Sequence, residues 1–502
     1  MIQFGKQPLL VIFAMVAAVA MYVPMLHAAW LEMWPVARSF LYHGTFFLLV
    51  TFMIALAVDG RIRRRSPDVP LFEVLLAYLL LPALLGAPLA HLSPSAGLLD
   101  AYFEMLSCLT TTGMTQFGEP GALAEPLHLW RSLVGWLGGF FIVVVAFAVF
   151  APLRIGGFEM QAVAQGSTET SGQIGYANIS ESIARRARQI APIYVGITLC
   201  LTVMLTFVGD RNFVALTHAM SVISTSGVSP VGGIKNSGSG FLGEVLVFLF
   251  LIFAVSRHCL TFDRTFRNWI DFKRDKEANL ALFFVVVISI LIGVRVLVVS
   301  IDSGGRPDPD AMFRLLWGSA FTVLSFLTTT GFESSFWESD LQRLTPETGR
   351  LLLMGLAAAG GGVATTAGGI KLLRIYAVYK QGRRELTRLG YPNSVGGAGD
   401  RARMLRRQGA YVAWILLMLF VIALAFSILA LSATGIEFER SFVLAVAGLS
   451  NTGPLATLAG FETTGFVDLT NSAKIILCLV MIVGRLEVLA VFSLLGHRYW
   501  RK

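Results

Sequence analysis

Long uninterrupted apolar runs constrain this chain more than any other feature of its sequence. Each is close to the roughly 20 residues that cross the hydrocarbon core of a bilayer as a helix. They occupy Leu9–Leu26, Phe40–Val58, Phe140–Ala151 with its flanks, Leu280–Ser300 and Ala410–Leu431. The 502-residue chain is 55% hydrophobic and only 14% charged, whereas a soluble domain carries about 25% charged residues. The sequence therefore predicts a polytopic α-helical membrane protein and excludes a soluble enzyme.

The net charge of +9 comes from basic residues that fall in clusters between the apolar runs. These clusters are Arg61–Arg65, Arg185–Arg188, Arg257–Lys276, Lys371–Arg388, Arg401–Arg407 and Arg498–Lys502. Acidic residues concentrate in the alternate segments, as between Ile301 and Glu347. Loops rich in Lys and Arg stay in the cytoplasm, so the basic clusters are predicted inside and the acidic segments outside. The charge thus indicates membrane topology, and no nucleic-acid partner is expected.

The alternation of basic and acidic segments predicts an all-α polytopic fold. An N-terminal helix hairpin is followed by four helix–pore helix–helix repeats around one pore, which makes ten spanning helices and four half-helices. The half-helices are too short to span and are predicted to re-enter from outside; they are Asp100–Leu109, Asn212–Ile223, Asp310–Leu327 and Glu437–Leu449. The predicted divisions are a two-helix extension over residues 1–66 and pore repeats over 67–165, 166–275, 276–395 and 396–502.

A polar tetrapeptide that ends in glycine follows each half-helix, and we call these strings 1 to 4. They are Thr110–Gly113, Ser224–Gly227, Thr328–Gly331 and Ser450–Gly453. A repeat of this kind indicates equivalent units arranged about a common axis. Non-helical backbone at membrane depth must line water or be buried in protein, and rings of backbone carbonyls can replace the hydration shell of a cation. The strings therefore predict a cation selectivity filter. Its residues are Thr110, Thr111, Thr112, Gly113, Ser224, Thr225, Ser226, Gly227, Thr328, Thr329, Thr330, Gly331, Ser450, Asn451, Thr452 and Gly453.

A glycine-rich stretch interrupts a later apolar run, and we call Gly360–Gly369 the glycine loop. Each glycine costs about 1 kcal/mol in a helix relative to alanine, so this stretch is predicted to unwind and to obstruct the path below the filter. Arg485 lies near the middle of the last apolar helix, where an arginine must face the protein interior, and it is predicted to hydrogen-bond loop carbonyls. The predicted gate residues are Gly360, Gly361, Gly362, Thr365, Thr366, Gly368, Gly369, Lys371 and Arg485.

Patterns typical of enzymes are absent from the sequence. The seven histidines are dispersed and the four cysteines lie far apart, so no metal or redox site is predicted. The stretch Gly238–Gly243 matches a dinucleotide fingerprint, but it has neither the preceding strand nor the later acidic residue that such a site needs. We therefore expect no enzymatic activity and no bound cofactor.

Several stretches resemble the membrane subunit of the Trk/Ktr/HKT superfamily of potassium transporters, closest to the TrkH type. They are Trp130–Gly139, His218–Gly227, Thr328–Phe332, Ala367–Lys371 and Gly484–Glu487. The resemblance covers essentially the whole chain and implies gated potassium uptake. It implies that potassium, as substrate, binds at Thr111, Thr112, Thr225, Ser226, Thr329, Thr330, Asn451 and Thr452.

The same resemblance implies partners and a location. The expected partners are a second copy in a homodimer, a cytosolic TrkA-type nucleotide-binding ring and the lipid bilayer, with the chain in the cytoplasmic (inner) membrane of a bacterium. Two alternatives stay open: less selective potassium and sodium translocation, and ion-coupled secondary transport (symport) of a small solute. The latter fits less well, because alternating access favours inverted repeats and broken helices in paired positions.

Overall fold

A computed structural model describes most of the chain as helix. The described residues are 7–58, 69–93, 97–118, 121, 123–151, 179–256, 275–302, 309–337, 346–391, 410–459, 466 and 469–487. Several basic clusters used for the topology lie outside them, namely Arg61–Arg65, most of Arg257–Lys276, Arg401–Arg407 and Arg498–Lys502. The predicted orientation in the membrane therefore stays a prediction.

The first half of the chain forms nine α-helices within these ranges. They are α1 (Leu9–Ala20), α2 (Tyr22–Trp30), α3 (Trp34–Val58), α4 (Val69–Leu92), α5 (Leu98–Leu109), α6 (Glu125–Val145), α7 (Ile179–Val208), α8 (Asn212–Ser224) and α9 (Gly240–Val255). The second half continues with α10 (Lys276–Asp302), α11 (Pro309–Leu327), α12 (Pro346–Ala359), α13 (Leu372–Gly390), α14 (Ala410–Ser432), α15 (Phe438–Ser450) and α16 (Asn471–Leu486). The described residues contain no β-strand, so the predicted all-α class is confirmed.

The N-terminal hairpin is close to its prediction. Helices α1 and α2 together give one apolar stretch, Leu9–Trp30, that is long enough to cross a membrane, and α3 gives a second. The break between α1 and α2 falls at Met21, three residues before Pro24. A proline ring clashes with the carbonyl four residues earlier, here that of Ala20, the last residue of α1.

Eight helical stretches in the described residues are long and apolar enough to span a membrane. One of them, α11, was predicted as a half-helix. Its 19 residues are only one more than the 18 taken here as the minimum length of a spanning helix. Three predicted spanning helices are shorter than 18 residues, namely α9, α12 and α16. Helix α12 is short because the glycine loop ends it at Ala359. A multi-pass helical protein is therefore established, and the total of ten spanning helices stays a prediction.

The four short helices α5, α8, α11 and α15 begin and end within two residues of their predicted bounds. Each packs against the helices before and after it: α5 between α4 and α6, α8 between α7 and α9, α11 between α10 and α12, and α15 between α14 and α16. Each third helix also packs on the next short helix, since α6 contacts α8, α9 contacts α11, α12 contacts α15, and α16 contacts α5. These contacts close a ring, and the strings lie at its centre.

Glycines let the third helices approach the ends of the short helices closely. A methyl group added at Gly138 of α6 would lie 2.1 Å from the carbonyl oxygen of Leu109. One added at Gly484 of α16 would lie 2.4 Å from the carbonyl oxygen of Leu449. Small residues at helix contacts are what allow such close backbone packing in membrane proteins.

Candidate functional site: a ring of four polar strings

The first residue of every string closes the end of its short helix. Its hydroxyl donates to the carbonyl four residues earlier, as Thr110 does to Leu106 at 2.8 Å. The other three pairs are Ser224 to Met220 at 2.7 Å, Thr328 to Leu324 at 2.9 Å and Ser450 to Val446 at 2.7 Å. The Leu106 and Leu324 carbonyls also accept from the backbone N–H groups of Thr110 and Thr328, so the hydroxyl adds a second hydrogen bond at the end of the helix. The same residue type thus recurs because the same local task recurs.

The second residue of every string adopts the left-handed conformation. The φ angles are 54° at Thr111, 52° at Thr225, 60° at Thr329 and 53° at Asn451. This region is rare for residues other than glycine, above all for β-branched threonine, and such residues cost about 1–3 kcal/mol each. Strain that recurs at four equivalent positions indicates that one backbone path is imposed on all four strings.

The third residue of every string fixes that path with a hydrogen bond back into the short helix. Its N–H donates to the carbonyl five residues earlier, with lengths of 2.8 to 3.0 Å. The pairs are Thr112 to Ser107, Ser226 to Ser221, Thr330 to Ser325 and Thr452 to Ala447. Each string therefore leaves its helix in the same direction.

The four glycines bring neighbouring strings into direct contact. A methyl group added at Gly113 would lie 2.0 Å from the Ser226 carbonyl oxygen, and one at Gly227 would lie 2.5 Å from that of Thr330. A methyl group at Gly331 would lie 2.7 Å from the Pro454 ring, and one at Gly453 would lie 2.5 Å from the Thr112 carbonyl oxygen. String 1 thus contacts string 2, and string 2 contacts string 3. String 3 contacts the residue that follows string 4, and string 4 contacts string 1. The contacts form a closed ring in which no side chain fits.

The fourth string differs from the others in the backbone conformation at its glycine and in the residues that follow. Gly113, Gly227 and Gly331 have φ angles of 78°, 65° and 78°, whereas Gly453 begins a 3-10 turn that runs to Ala459. The Gly453 N–H also donates to the Thr112 carbonyl oxygen at 2.5 Å. The ring is therefore only approximately fourfold.

A cavity of about 310 Å³ opens on the glycine side of the ring. All four string glycines line it, together with residues from the segments that follow the strings. Three of those segments are held by a polar residue nine positions before the string glycine. Glu104 accepts from the Gln116 N–H at 2.7 Å, His218 bonds the Ser229 hydroxyl at 2.8 Å, and Thr322 accepts from the Ser334 N–H at 3.3 Å. The corresponding residue of the fourth unit is apolar, Leu444.

Glu104 also makes a buried ion pair, and this predicts a large loss of stability on its replacement. Its Oε1 atom lies 2.6 Å from Arg131 Nε, and both side chains are at most 5% exposed. Glu104→Gln would leave the arginine buried without its counter-charge, and breaking such a pair costs about 3–5 kcal/mol. We expect a clearly lower thermal unfolding temperature in detergent.

Glu437→Gln is the matched control for this prediction. Its partner Arg440 lies 3.7 Å away and both side chains are exposed, and such surface pairs contribute about 0–1 kcal/mol. Equal unfolding temperatures for the two variants would contradict a stabilising role for the buried pair.

The glycine loop lies on the opposite side of the ring from the cavity. Helix α12 ends at Ala359 and α13 begins at Leu372, so the predicted unwinding is confirmed. The Gly368 N–H donates to the Thr329 hydroxyl at 2.8 Å, and the Thr366 hydroxyl donates to the Ile223 carbonyl at 3.3 Å. The loop therefore contacts string 3 at Thr329 and the last turn of α8, directly before string 2.

Arg485 makes the contact with the loop that the sequence predicts. It is only 4% exposed, and its Nη1 atom donates to the Thr366 carbonyl oxygen at 2.7 Å. Its Nε and Nη2 atoms have no hydrogen-bond partner among the described residues. Lys371, another predicted gate residue, is buried and donates from Nζ to the Ala367 carbonyl oxygen. A cavity of about 20 Å³ remains beside the loop and Arg485, room for about one water molecule.

Two contacts of this region were missed by the sequence reasoning. Glu277, at the start of α10, is 4% exposed and accepts from the Val363 N–H of the loop at 2.9 Å. Glu487 lies 2.5 Å from Arg374 of α13, which ties the end of α16 to the segment after the loop. Both pairs join residues far apart in the chain, and no local pattern marks them.

Comparison with known proteins gives consistent similarities. The family described as TrkH, cation transport protein, matches residues 80–256 and 307–496, more than half of the chain. The Trk system potassium uptake protein TrkH of Salmonella typhimurium is 29% identical over 466 residues, which are 90% of this chain and 92% of that protein. The Trk system potassium uptake protein TrkI of Halomonas elongata is 29% identical over 84% of this chain and 80% of its own.

The same architecture is found in a solved structure. The crystal structure of the potassium transporter TrkH from Vibrio parahaemolyticus superposes with a TM-score of 0.81, at 23% identity and full coverage of both chains. At this identity the likeness bears on the fold alone. It supports the arrangement of helices described above.

Proposed function

Because the chain belongs to the TrkH family of cation transport proteins, we propose that it carries potassium ions across a membrane through a pore lined by the four strings. Family membership confirms the prediction of a transport protein rather than an enzyme. Relatives named as Trk system potassium uptake proteins, among them that of Salmonella typhimurium, support potassium as the ion. The observation that carries the proposal is the closed ring of four glycines, each in contact with the next string or with the residue directly after it.

The chemistry of the ring suits a dehydrated monovalent cation. Glycine exposes backbone, and stacked backbone carbonyls can replace the water around potassium. The C-terminal ends of α5, α8, α11 and α15 lead directly into the strings. Helix C-termini carry a partial negative charge, so all four short helices favour a cation at the centre. We propose that potassium binds at the second and third residues of the strings.

We also propose that the glycine loop is the gate of this pore. The loop lies against string 3 and the last turn of α8, and the space beside it holds about one water molecule. Arg485 donates a hydrogen bond to the loop, and Glu277 accepts one from it. These two residues belong to separate helices, α16 and α10. Movement of either helix would change the support of the loop and so would change conduction.

The remaining proposals concern assembly and location. The relatives are named as proteins of a Trk system, which favours a membrane subunit that works with other components. We propose a homodimer in the cytoplasmic membrane of a bacterium, regulated by a cytosolic TrkA-type nucleotide-binding ring. Cross-linking and mass measurement of the purified protein in detergent would test the dimer directly.

Rubidium uptake by liposomes that contain the purified protein tests the proposed function. Uptake should exceed that of protein-free liposomes and should be reduced by competing potassium. Uptake of an organic solute with no rubidium or potassium flux would contradict a potassium pore.

Glu277 gives a prediction about the gate. In Glu277→Ala the buried N–H of Val363 loses its acceptor, which costs about 1–3 kcal/mol in the closed loop. We expect basal rubidium flux to rise several-fold. Glu277→Gln keeps an oxygen that can accept the same bond, and its flux should stay near that of the wild type. An Ala variant that folds normally and conducts no faster would remove Glu277 from the support of the loop.

A further inference from the structure

Charged side chains in the wall of the 310 Å³ cavity are paired. Among the described residues that line it, the basic ones are Arg131, Lys235 and His128, and Glu333 is the one carboxylate. Arg131 pairs with Glu104, which lies behind the cavity wall, at 2.6 Å. Lys235 Nζ lies 3.3 Å from Glu333 Oε2. The cavity in front of the ring therefore has almost no net charge from these pairs.

The position of Glu333 places its charge close to the ring. It lies two residues after Gly331, whereas the corresponding residues of the other three units are Thr115, Ser229 and Leu455. Its side chain is 19% exposed, so ions in the cavity can reach it. Lys235 comes from the 3-10 turn Ile234–Asn236 after string 2. The pair thus joins the segments that follow strings 2 and 3, at the mouth of the ring.

A carboxylate at this position, without the opposing charge of Lys235, would discriminate among cations by their charge. The Coulomb energy of an ion near Glu333 is proportional to the charge of the ion. Because the local concentration depends exponentially on that energy, the enrichment of a divalent cation is the square of the enrichment of a monovalent cation. Narrow clefts of one sign concentrate counter-ions in this way. A divalent ion held at the mouth would stop monovalent ions from reaching the strings, and Lys235 cancels the charge that would hold it.

We propose that Lys235 is a specificity-determining residue: by neutralising Glu333 it keeps divalent cations such as Mg²⁺ from occupying the mouth of the ring. This inference rests on the proposed potassium pore. It assigns the salt bridge a role in ion discrimination before the strings, separate from any discrimination within them.

The test is potassium current across planar bilayers that contain the purified protein, with MgCl₂ added to each chamber in turn. Choline chloride keeps the ionic strength constant, because screening alone alters surface electrostatics. If Lys235→Gln raises the local concentration of K⁺ at the mouth about threefold, the local concentration of Mg²⁺ rises by the square of that factor, about tenfold. Half-inhibition should therefore need about tenfold less Mg²⁺ than in the wild type, and from one chamber only.

Two further variants assign the effect to the pair. Lys235→Gln combined with Glu333→Gln should return Mg²⁺ sensitivity to the wild-type level, because the two substitutions remove one positive and one negative charge together. Glu333→Gln alone removes one negative charge from the mouth and keeps the positive charge of Lys235, so it should raise the potassium concentration needed for half-maximal current. Arg440→Gln is the matched control: it also removes a basic partner of a carboxylate, but Arg440 lies outside the cavity wall.

The outcomes separate this inference from the proposed function. Absence of potassium current from the wild type in Mg²⁺-free solution counts against the pore itself. Potassium current in Lys235→Gln with wild-type sensitivity to Mg²⁺ overturns the inference and leaves the pore intact. The inference is also overturned if the double variant stays as sensitive as Lys235→Gln, or if Glu333→Gln leaves half-saturation unchanged.

Discussion

Gly113→Ser should lower the preference for potassium over sodium by at least about tenfold, equivalent to about 1.4 kcal/mol. Gly113 has φ 78°, and an added methyl group would lie 2.0 Å from the carbonyl oxygen of Ser226. A residue with a side chain costs about 1–2 kcal/mol in this conformation, and the clash forces string 1 and string 2 apart. A ring widened on one side holds a small dehydrated cation less specifically.

The measurement for Gly113→Ser is the reversal potential with potassium on one side and sodium on the other. It should move toward zero relative to the wild type. Gly196→Ser is the matched control, because Gly196 lies in α7 and an added methyl group there meets no atom within 4 Å. An unchanged reversal potential in Gly113→Ser, with normal folding, would show that this glycine is not part of the selective region.

Arg485→Ala should raise basal potassium flux by about tenfold or more. Its guanidinium donates to the Thr366 carbonyl oxygen of the glycine loop, and a hydrogen bond from a charged group contributes about 1.5–3 kcal/mol. If that energy stabilises the closed loop over the open one, its loss shifts the equilibrium by about tenfold or more, since 1.4 kcal/mol is a factor of ten. The positive charge beside the ion path is removed at the same time.

Flux through Arg485→Ala is measured in liposomes without any added partner protein. Arg295→Ala serves as the control, because Arg295 lies on the exposed side of α10 and an arginine near a helix end extends to the membrane surface. Size-exclusion chromatography shows whether each variant is folded. Flux that falls or stays level in well-folded Arg485→Ala would contradict the gate.

The sequence predicted the features that depend on local chemistry. The strings were predictable because their polar residues and glycines perform the same local task four times, and the structure shows the same helix-end hydrogen bonds and φ angles at each. The glycine loop was predictable because several glycines destabilise a helix. The contact from Arg485 to the loop followed from the cost of a central arginine in a membrane.

Other features depend on contacts between distant residues and had no sequence signal. Glu277 and Val363 meet only because α10 and the glycine loop pack together, and the same holds for Lys235 and Glu333. The sequence also gave no sign that Gly453 leaves its string by a 3-10 turn and donates to the Thr112 carbonyl. Helix α11 matches its predicted bounds to one residue, but with 19 apolar-rich residues it is also long enough to resemble a span.

The most direct test of the central claim is the permeability of the wild-type protein, purified and reconstituted into a bilayer, to potassium, rubidium, sodium and lithium. The ring of four glycines predicts that potassium and rubidium pass well above sodium and lithium, with a reversal potential close to that of a potassium-selective membrane. Equal passage of sodium and potassium would contradict the assignment of the four strings as a potassium filter.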